Sequence, residues 1–249
     1  MPPITPSTTF SLYMVGRGSA YLYTLNRTTG RATRVGTASF FGANEGSPSG
    51  LAWDGTNLYM VGATNDILYV AVTGPPQAVG GFVRIGTASF FGANEIAPSG
   101  LAWDGTNLYM VGTNGDRLYT LNRTTGVATR VGTADAFGVG ETLPSGLAWD
   151  GTNLYMVGST NEALYTLNRT TGRATRVGTA SFFGVGVRQP TGLAWDGTNL
   201  YMVGATNDAL YTLDRTTGRA ARVGSATNFG VGETSPSGLA WAPSPPMPS

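Results

Sequence analysis

Apolar residues in this chain fall into short runs separated by clusters of Gly, Asn, Asp, Thr and Ser, and the runs themselves recur. The segment from Pro144 to Leu193 shows one full copy. Its apolar runs are Gly146–Trp149, Leu154–Gly158, Ala163–Leu167 and Ala174–Gly178. Each is rich in Leu, Tyr, Val or Trp and bounded by turn residues, which predicts four β-strands. No segment carries apolar residues at i, i+3, i+4 and i+7 over three turns, so almost no helix is expected.

The turns between the runs have mechanisms of their own. Asp150-Gly151-Thr152-Asn153 separates the first two runs, where Asp bonds the backbone ahead of it and Gly accepts a positive φ. Asn168-Arg169-Thr170-Thr171-Gly172 separates the last two, with Asn opening the turn and Gly closing it.

The tetrapeptide Gly-Leu-Ala-Trp ends at Trp53, Trp103, Trp149, Trp195 and Trp241, at spacings of 50, 46, 46 and 46 residues. A fixed period of about 40–50 residues marks a repeat architecture. Four antiparallel strands per period, repeated radially, predict an all-β five-bladed β-propeller. The second-strand motif Leu-Tyr-Met-Val-Gly begins at Leu12, Leu58, Leu108, Leu154 and Leu200. The chain therefore enters at a second strand and finishes on a first strand. Gly238–Trp241 is expected to pair beside Leu12–Gly16 and close the ring, hiding the free edges. A larger ring built from several chains is the alternative. The propeller is placed at 10–241, with a tail at 1–9 and a Pro/Ser-rich tail at 242–249 that reads as a linker to a larger parent protein. The 50-residue spacing comes from an insertion between Ala71 and Gly81, at a hairpin tip where added length costs little.

Composition narrows the function classes. The net charge is +1, so neither nucleic acid nor an anionic membrane is an expected partner. No apolar stretch approaches the length of a membrane span, and the first residues do not read as a signal peptide. The compartment stays open, with an extracellular one weakly favoured. Cys and His are both absent, which removes nucleophilic triads and zinc sites. A paired-carboxylate glycosidase needs unique acids converging on the axis. Here Asp54, Asp104, Asp150 and Asp196 are copies of one turn residue. No enzyme activity, metal or cofactor is expected.

Comparing the copies within the chain separates two faces. The first-to-second and third-to-fourth hairpins are nearly constant and are assigned to one face. The second-to-third hairpins and the long loops between blades vary and are assigned to the other, where variation suits either recognition or simple drift. One Phe persists in every long loop, at Phe41, Phe91, Phe137, Phe183 and Phe229, and is read as a plug between blades. A preceding Phe at Phe40, Phe90 and Phe182 is the better contact candidate. With Asn44, Glu45, Asn94, Glu95, Glu141, Arg188, Gln189 and Glu233 these form the expected ligand-binding set. The five tryptophans are read as core. Arg34, Arg84, Arg130, Arg176 and Arg222 recur in the outermost strand and are expected to pair with Asp66, Asp116, Glu162 or Asp208, to read an anion, or to stay solvated. Sequons at Asn26, Asn122 and Asn168 sit in one repeated turn, where Asp214 keeps the turn chemistry without the sequon.

Several of these stretches are shared with a known family. Gly192-Leu193-Ala194-Trp195, Gly197–Val203, Leu210-Tyr211 and Arg219–Gly224 resemble the repeat of the tachylectin-2-like lectins, and the likeness runs through all five repeats. That resemblance implies a five-bladed propeller with a sugar pocket repeated between blades, binding N-acetylated sugars. The Gly-Gly-Trp element of those lectins is Ser-Phe-Phe-Gly here. The near-identity of the copies also looks like a recently amplified or engineered repeat. The expectation is a non-catalytic, multivalent binding module for glycans or glycoproteins, with a structural or assembly module, oligomeric or part of a longer protein, as the alternative.

Overall fold

The computed structural model describes residues 9–36, 45–71, 81–87, 90–93 and 97–244. Phe40, Asn44, Asn94 and Glu95 of the expected contact set lie outside them.

Five four-stranded antiparallel sheets form the blades of a propeller. Blade 1 joins the two ends of the chain: β20 (Pro236–Pro243) is innermost, followed by β1 (Phe10–Gly16), β2 (Tyr21–Leu25) and β3 (Ala32–Val35). Blade 2 holds β4 (Pro48–Trp53), β5 (Leu58–Gly62), β6 (Ile67–Ala71) and β7 (Phe82–Arg84). Blade 3 holds β8 (Pro98–Trp103), β9 (Leu108–Gly112), β10 (Arg117–Leu121) and β11 (Ala128–Arg130). Blade 4 holds β12 (Pro144–Trp149), β13 (Leu154–Gly158), β14 (Ala163–Leu167) and β15 (Ala174–Arg176). Blade 5 holds β16 (Pro190–Trp195), β17 (Leu200–Gly204), β18 (Ala209–Leu213) and β19 (Ala220–Arg222).

One chain closes the ring. Leu12 faces Trp241, Tyr13 faces Ala240 and Met14 faces Leu239 in the register expected from the repeat phase. The closing strand runs on to Pro243, with Ala242 buried and the Ser244 amide donating to Thr9 O at 2.7 Å. Helix among the described residues is confined to one-turn 3-10 segments in the long loops, such as Ala136–Gly138.

The core lies between the blades, and strand alternation puts it there. Successive side chains of β13 point to opposite faces. Leu154 and Met156 pack with Ala102, Tyr109 and Val111 of blade 3, whereas Tyr155 and Val157 pack with Leu193 and Met202 of blade 5. Both faces of the second strand are covered, which is why Leu-Tyr-Met-Val reads as an unbroken apolar run. Phe91, Phe137, Phe183 and Phe229 are fully buried within these inter-blade clusters, as the plug reading expected. Each sits at a φ of 53–55°, a left-handed conformation costly for an aromatic residue and held by the packing around it.

At the axis the inner strands touch backbone to backbone. A Cβ placed on Gly50 would lie 2.7 Å from Leu101 N, on Gly100 2.9 Å from Leu147 N, and on Gly146 2.8 Å from Leu193 N. One on Gly238 would lie 2.6 Å from Leu51 N, and Gly192 meets β20 in the same way. Glycine at this position of the inner strand is therefore what lets five blades close.

Candidate functional site

Four of the five blade junctions carry the same polar stack on the face of the first-to-second hairpins. Asp104 Oδ1 accepts the amides of Thr106 (2.9 Å) and Asn107 (2.7 Å), as the turn chemistry predicts. Its other oxygen pairs with Arg169 of blade 4, whose guanidinium lies 4.3 Å over the ring of Trp149. Arg123 joins Asp54 to Trp103, Arg215 joins Asp150 to Trp195, and Arg27 joins Asp196 to Trp241. The tryptophans are half-buried and line a small axial mouth on this face, of about 80 Å³. They are platforms for internal arginines as well as core residues.

The junction between blades 1 and 2 lacks this stack. Ala242 follows Trp241 where Asp follows the other four tryptophans, and the segment between Ala71 and Phe82 contains no Arg. The divergent insertion and the chain end thus remove the two partners of the same contact. Apolar packing holds this junction instead, with Tyr13, Val15 and Leu22 against Leu51, Met60 and Tyr69.

The carboxyls in these stacks are not free for chemistry. Burial raises the pKa of Asp54, Asp104 and Asp150. Hydrogen bonds from the following Asn and Thr amides and from the arginine outweigh it and hold all three below the usual carboxylate range. A depressed folded pKa contributes stability above the unfolded value of about 3.9, lost as pH falls through the folded pKa. Arg169→Ala is expected to cost roughly 1–2 kcal/mol at pH 7, through the lost ion pair and cation–π contact. Melts of wild type and variant across pH should show the gap narrowing below about pH 4, as Asp104 protonates in both.

The expected pairing of outer-strand arginines with Asp66, Asp116, Glu162 and Asp208 is corrected by the structure. Arg130 pairs with Asp135 at 3.0 Å, and Arg176 and Arg222 donate to the carbonyls of Ala180 (3.0 Å) and Ala226 (2.9 Å). Asp66 accepts the Ala97 amide of the next blade at 2.9 Å. Asp116 Oδ1, Glu162 Oε2 and Asp208 Oδ1 are buried without a hydrogen-bond partner among the described residues. Asp66, Asp116, Glu162 and Asp208 all sit at the hairpin bend with φ of 42–51°. Burial raises the pKa of Asp116 and Asp208, and the nearby Glu141 and Glu233 charges push in the same direction.

Three of the expected contact residues are internal anchors. Glu141 is fully buried and accepts the amides of Leu143 (3.1 Å), Thr160 (2.9 Å) and Asn161 (3.1 Å), besides Asn161 Nδ2 and the Tyr165 hydroxyl. Glu45 accepts the amides of Ser47, Thr64 and Asn65, and Glu233 accepts the amides of Gly18 and Ser235 and the Ser19 hydroxyl. Each ties a long loop to the second-to-third hairpin of the following blade. Val187 occupies the equivalent place in the loop after blade 4 and is also fully buried. The sequence conceals this role, since a loop Glu such as Glu141, flanked by Gly140 and Thr142, reads as exposed. Arg188 and Gln189 are exposed; Gln189 lines a funnel at the axis. The main chain of Phe90 and Phe182 belongs to the one-turn 3-10 segments, and their side chains are outside what the structure describes.

The ends of the long loops share a face with the second-to-third hairpins, as expected, and around the axis they line one cavity with them. The start of each described loop packs on the third-to-fourth hairpin of the next blade. A Cβ on Gly172 would lie 2.6 Å from Val131 O, and one on Gly218 2.7 Å from Val177 O. This contact opens a groove at the outer rim between blades 4 and 5. It has a volume of about 500 Å³ and is lined by Thr179, Ser181, Gly184, Thr216, Thr217 and Arg219 among others. The same positions recur around the ring. Gly138, Gly184 and Gly230 lie under the guanidiniums of Arg173, Arg219 and Arg31, with Cβ positions 2.9–3.1 Å from the guanidinium carbon. Val127 replaces the arginine against Gly92. At the hairpin between, Asn168 Oδ1 accepts the amides of Thr170 and Thr171 at 2.9 Å, and Asp214 does so at 2.8 Å, so the three sequons are explained by the turn.

Fold and rim together define a closed five-bladed β-propeller with a polar groove between blades 4 and 5 whose Gly–Arg lining positions recur at other described junctions. No protein-family model and no curated protein matches the chain. Among solved structures it is similar to a propeller in a nidogen/laminin complex, with a TM-score of 0.59, 15% identity, and coverage of 94% of this chain and 98% of that one. It is also similar to a structural genomics protein of unknown function from Bacteroides thetaiotaomicron, with a TM-score of 0.56 and 19% identity. That match covers 95% of this chain and 66% of the other. Both likenesses are of fold.

Proposed function

We propose that this protein is a non-catalytic, multivalent binding propeller whose ligands are glycans held in the rim grooves between blades. The observation that carries this reading is the polar groove between blades 4 and 5, whose Gly–Arg lining positions recur at other junctions. That groove offers Thr and Ser hydroxyls and a guanidinium, and a guanidinium stands over the loop glycine at three junctions. Hydroxyls and amides that both donate and accept suit sugar hydroxyls. The resemblance to the tachylectin-2-like lectins carries the same expectation. The axial aspartates support a non-catalytic reading, because both oxygens of each are committed to the turn and the stack. Several weak sites on one rigid ring gain avidity, on the order of 10²–10⁴, when the target presents several copies.

A protein-binding reading has its own observation. Val139, Val185 and Val231 stand exposed beside the rim glycines, and apolar residues in such a rim suit a protein partner. The similar propeller of the nidogen/laminin complex is seen in a protein assembly. A glycan panel, with free sugar as competitor, separates the two. The glycan reading predicts competable binding that falls at least tenfold when Arg31, Arg173 and Arg219 are all changed to Ala. Silence of a folded sample across the panel would reject it in favour of the protein-binding reading.

A further inference from the structure

A second cavity lies on the propeller axis, on the side of the second-to-third hairpins, with a volume of about 430 Å³. That is within the usual range of small-molecule sites, about 300–1,000 Å³. Its floor is the ring of close-packed inner-strand glycines, where no space remains even for water. Its walls are the hydroxyls of Ser99, Ser145, Thr191 and Ser237. Each of these donates its proton to a backbone carbonyl: Ser99 to Pro144 O (2.6 Å), Ser145 to Val157 O (3.2 Å), Thr191 to Val203 O (3.4 Å) and Ser237 to Ser49 O (2.9 Å). With its proton committed, a hydroxyl turns acceptor lone pairs toward the cavity.

The repeat makes one lining residue stand out. At the hairpin position that contributes Thr113, Ser159 and Ala205 to the cavity, blade 1 contributes Arg17. The same hairpin has Ala20 where the other four carry Asp66, Asp116, Glu162 and Asp208. One blade thus replaces a small residue by a cation and an acid by a methyl group, and among the described residues Arg17 is the charged group that lines the cavity. Its backbone is anchored by the Arg17 amide donating to Ser235 O at 2.8 Å. No ion pair to its guanidinium exists among the described residues. Two neighbouring acids are occupied: Glu45 by the amides of Ser47, Thr64 and Asn65, and Glu233 by the amides of Gly18 and Ser235 and the Ser19 hydroxyl. Arg17 keeps an exposed surface, yet the concave mouth strips enough water to lower its pKa, with Glu45 opposing that shift.

We propose that this funnel is a single carboxylate-directed sugar site, in which Arg17 pairs with the carboxylate of an acidic monosaccharide and the ring of hydroxyl oxygens accepts from its hydroxyls. A guanidinium fork matches a carboxylate in two parallel hydrogen bonds, and this is stronger where water is partly excluded. Such a site occurs once per chain and is distinct from the rim grooves, so it holds whether or not the rim binds anything.

The test is ligand-observed NMR titration of free glucuronate, glucose, acetate and sulfate on wild type, Arg17→Ala and the Arg31, Arg173 and Arg219 triple-Ala variant. The expected result is one glucuronate per chain, bound at least tenfold more tightly than glucose, acetate or sulfate. That preference should vanish in Arg17→Ala and persist in the triple variant. Arg17→Ala should melt within a few degrees of wild type, since its guanidinium makes no ion pair among the described residues. Failure of glucuronate to bind folded wild type, or survival of its preference in Arg17→Ala, would overturn the proposal. Acetate or sulfate binding as tightly as glucuronate would overturn the sugar assignment.

Discussion

Gly146→Ala is expected to lower stability by about 3 kcal/mol, at the upper end of what overpacking a filled core costs. The added methyl would meet Leu193 N at 2.8 Å and the Gly192 carbonyl carbon at 2.9 Å, and both are backbone atoms that cannot rotate away. Blade 4 would have to move outward. In a ring of five, that displacement reaches the neighbouring junctions, because each inner strand touches the next. For a chain of this size the cost corresponds to a fall in Tm of roughly 6–12 °C. A melt followed by tryptophan fluorescence reads it directly, since all five Trp sit on the inner strands. A variant that melts with wild type would show that the inner strands stand further apart than described.

Glu141→Ala is the second large effect, expected at about 3 kcal/mol. The carboxylate is fully buried and satisfies three backbone amides, an Asn side chain and the Tyr165 hydroxyl. Removing it strands several of those donors and leaves a void, and each buried group left unpaired costs about 1–3 kcal/mol. Some of the freed amides lie at a partly exposed hairpin and regain water, which keeps the total below the simple sum. Blade 5 supplies an internal control. There Val187 fills the same place beside Gly204, and Thr206 Oγ1 donates to Arg188 O at 2.7 Å instead. Glu141→Val should therefore cost clearly less than Glu141→Ala in a urea titration. Equal losses would mean that the void plays no part. A neutral Glu141→Ala would mean the loop is anchored by something else.

These two residues mark what could be read from the sequence and what could not. The repeat phase, the four strands, the ring closure and the turn chemistry were all legible, because they depend on local pattern and on counting. The plug role of Phe137 and its equivalents followed from their constancy. The buried role of Glu141 did not, since its partners are amides twenty residues away, in another blade's hairpin. The Arg169–Asp104–Trp149 stack was also missed, although a signal existed. The turn arginine and the aspartate after Trp each occur in four copies, and the missing copies fall at one junction. Matching absences of this kind point to contact across neighbouring blades. Arg17 is not legible in the sequence for a related reason: a single divergent residue in a variable hairpin gains meaning only once the fold carries it to the axis. The expected site set was in consequence divided among buried anchors, the funnel rim and the long loops.

The central claim is that binding is multivalent and resides in the rim. Its most direct test is a calorimetric titration of wild type with the competing monosaccharide identified on the glycan panel. More than one site per chain, with stoichiometry falling as Arg31, Arg173 and Arg219 are changed to Ala one after another, is the predicted result. A stoichiometry of one that these changes leave untouched would contradict it.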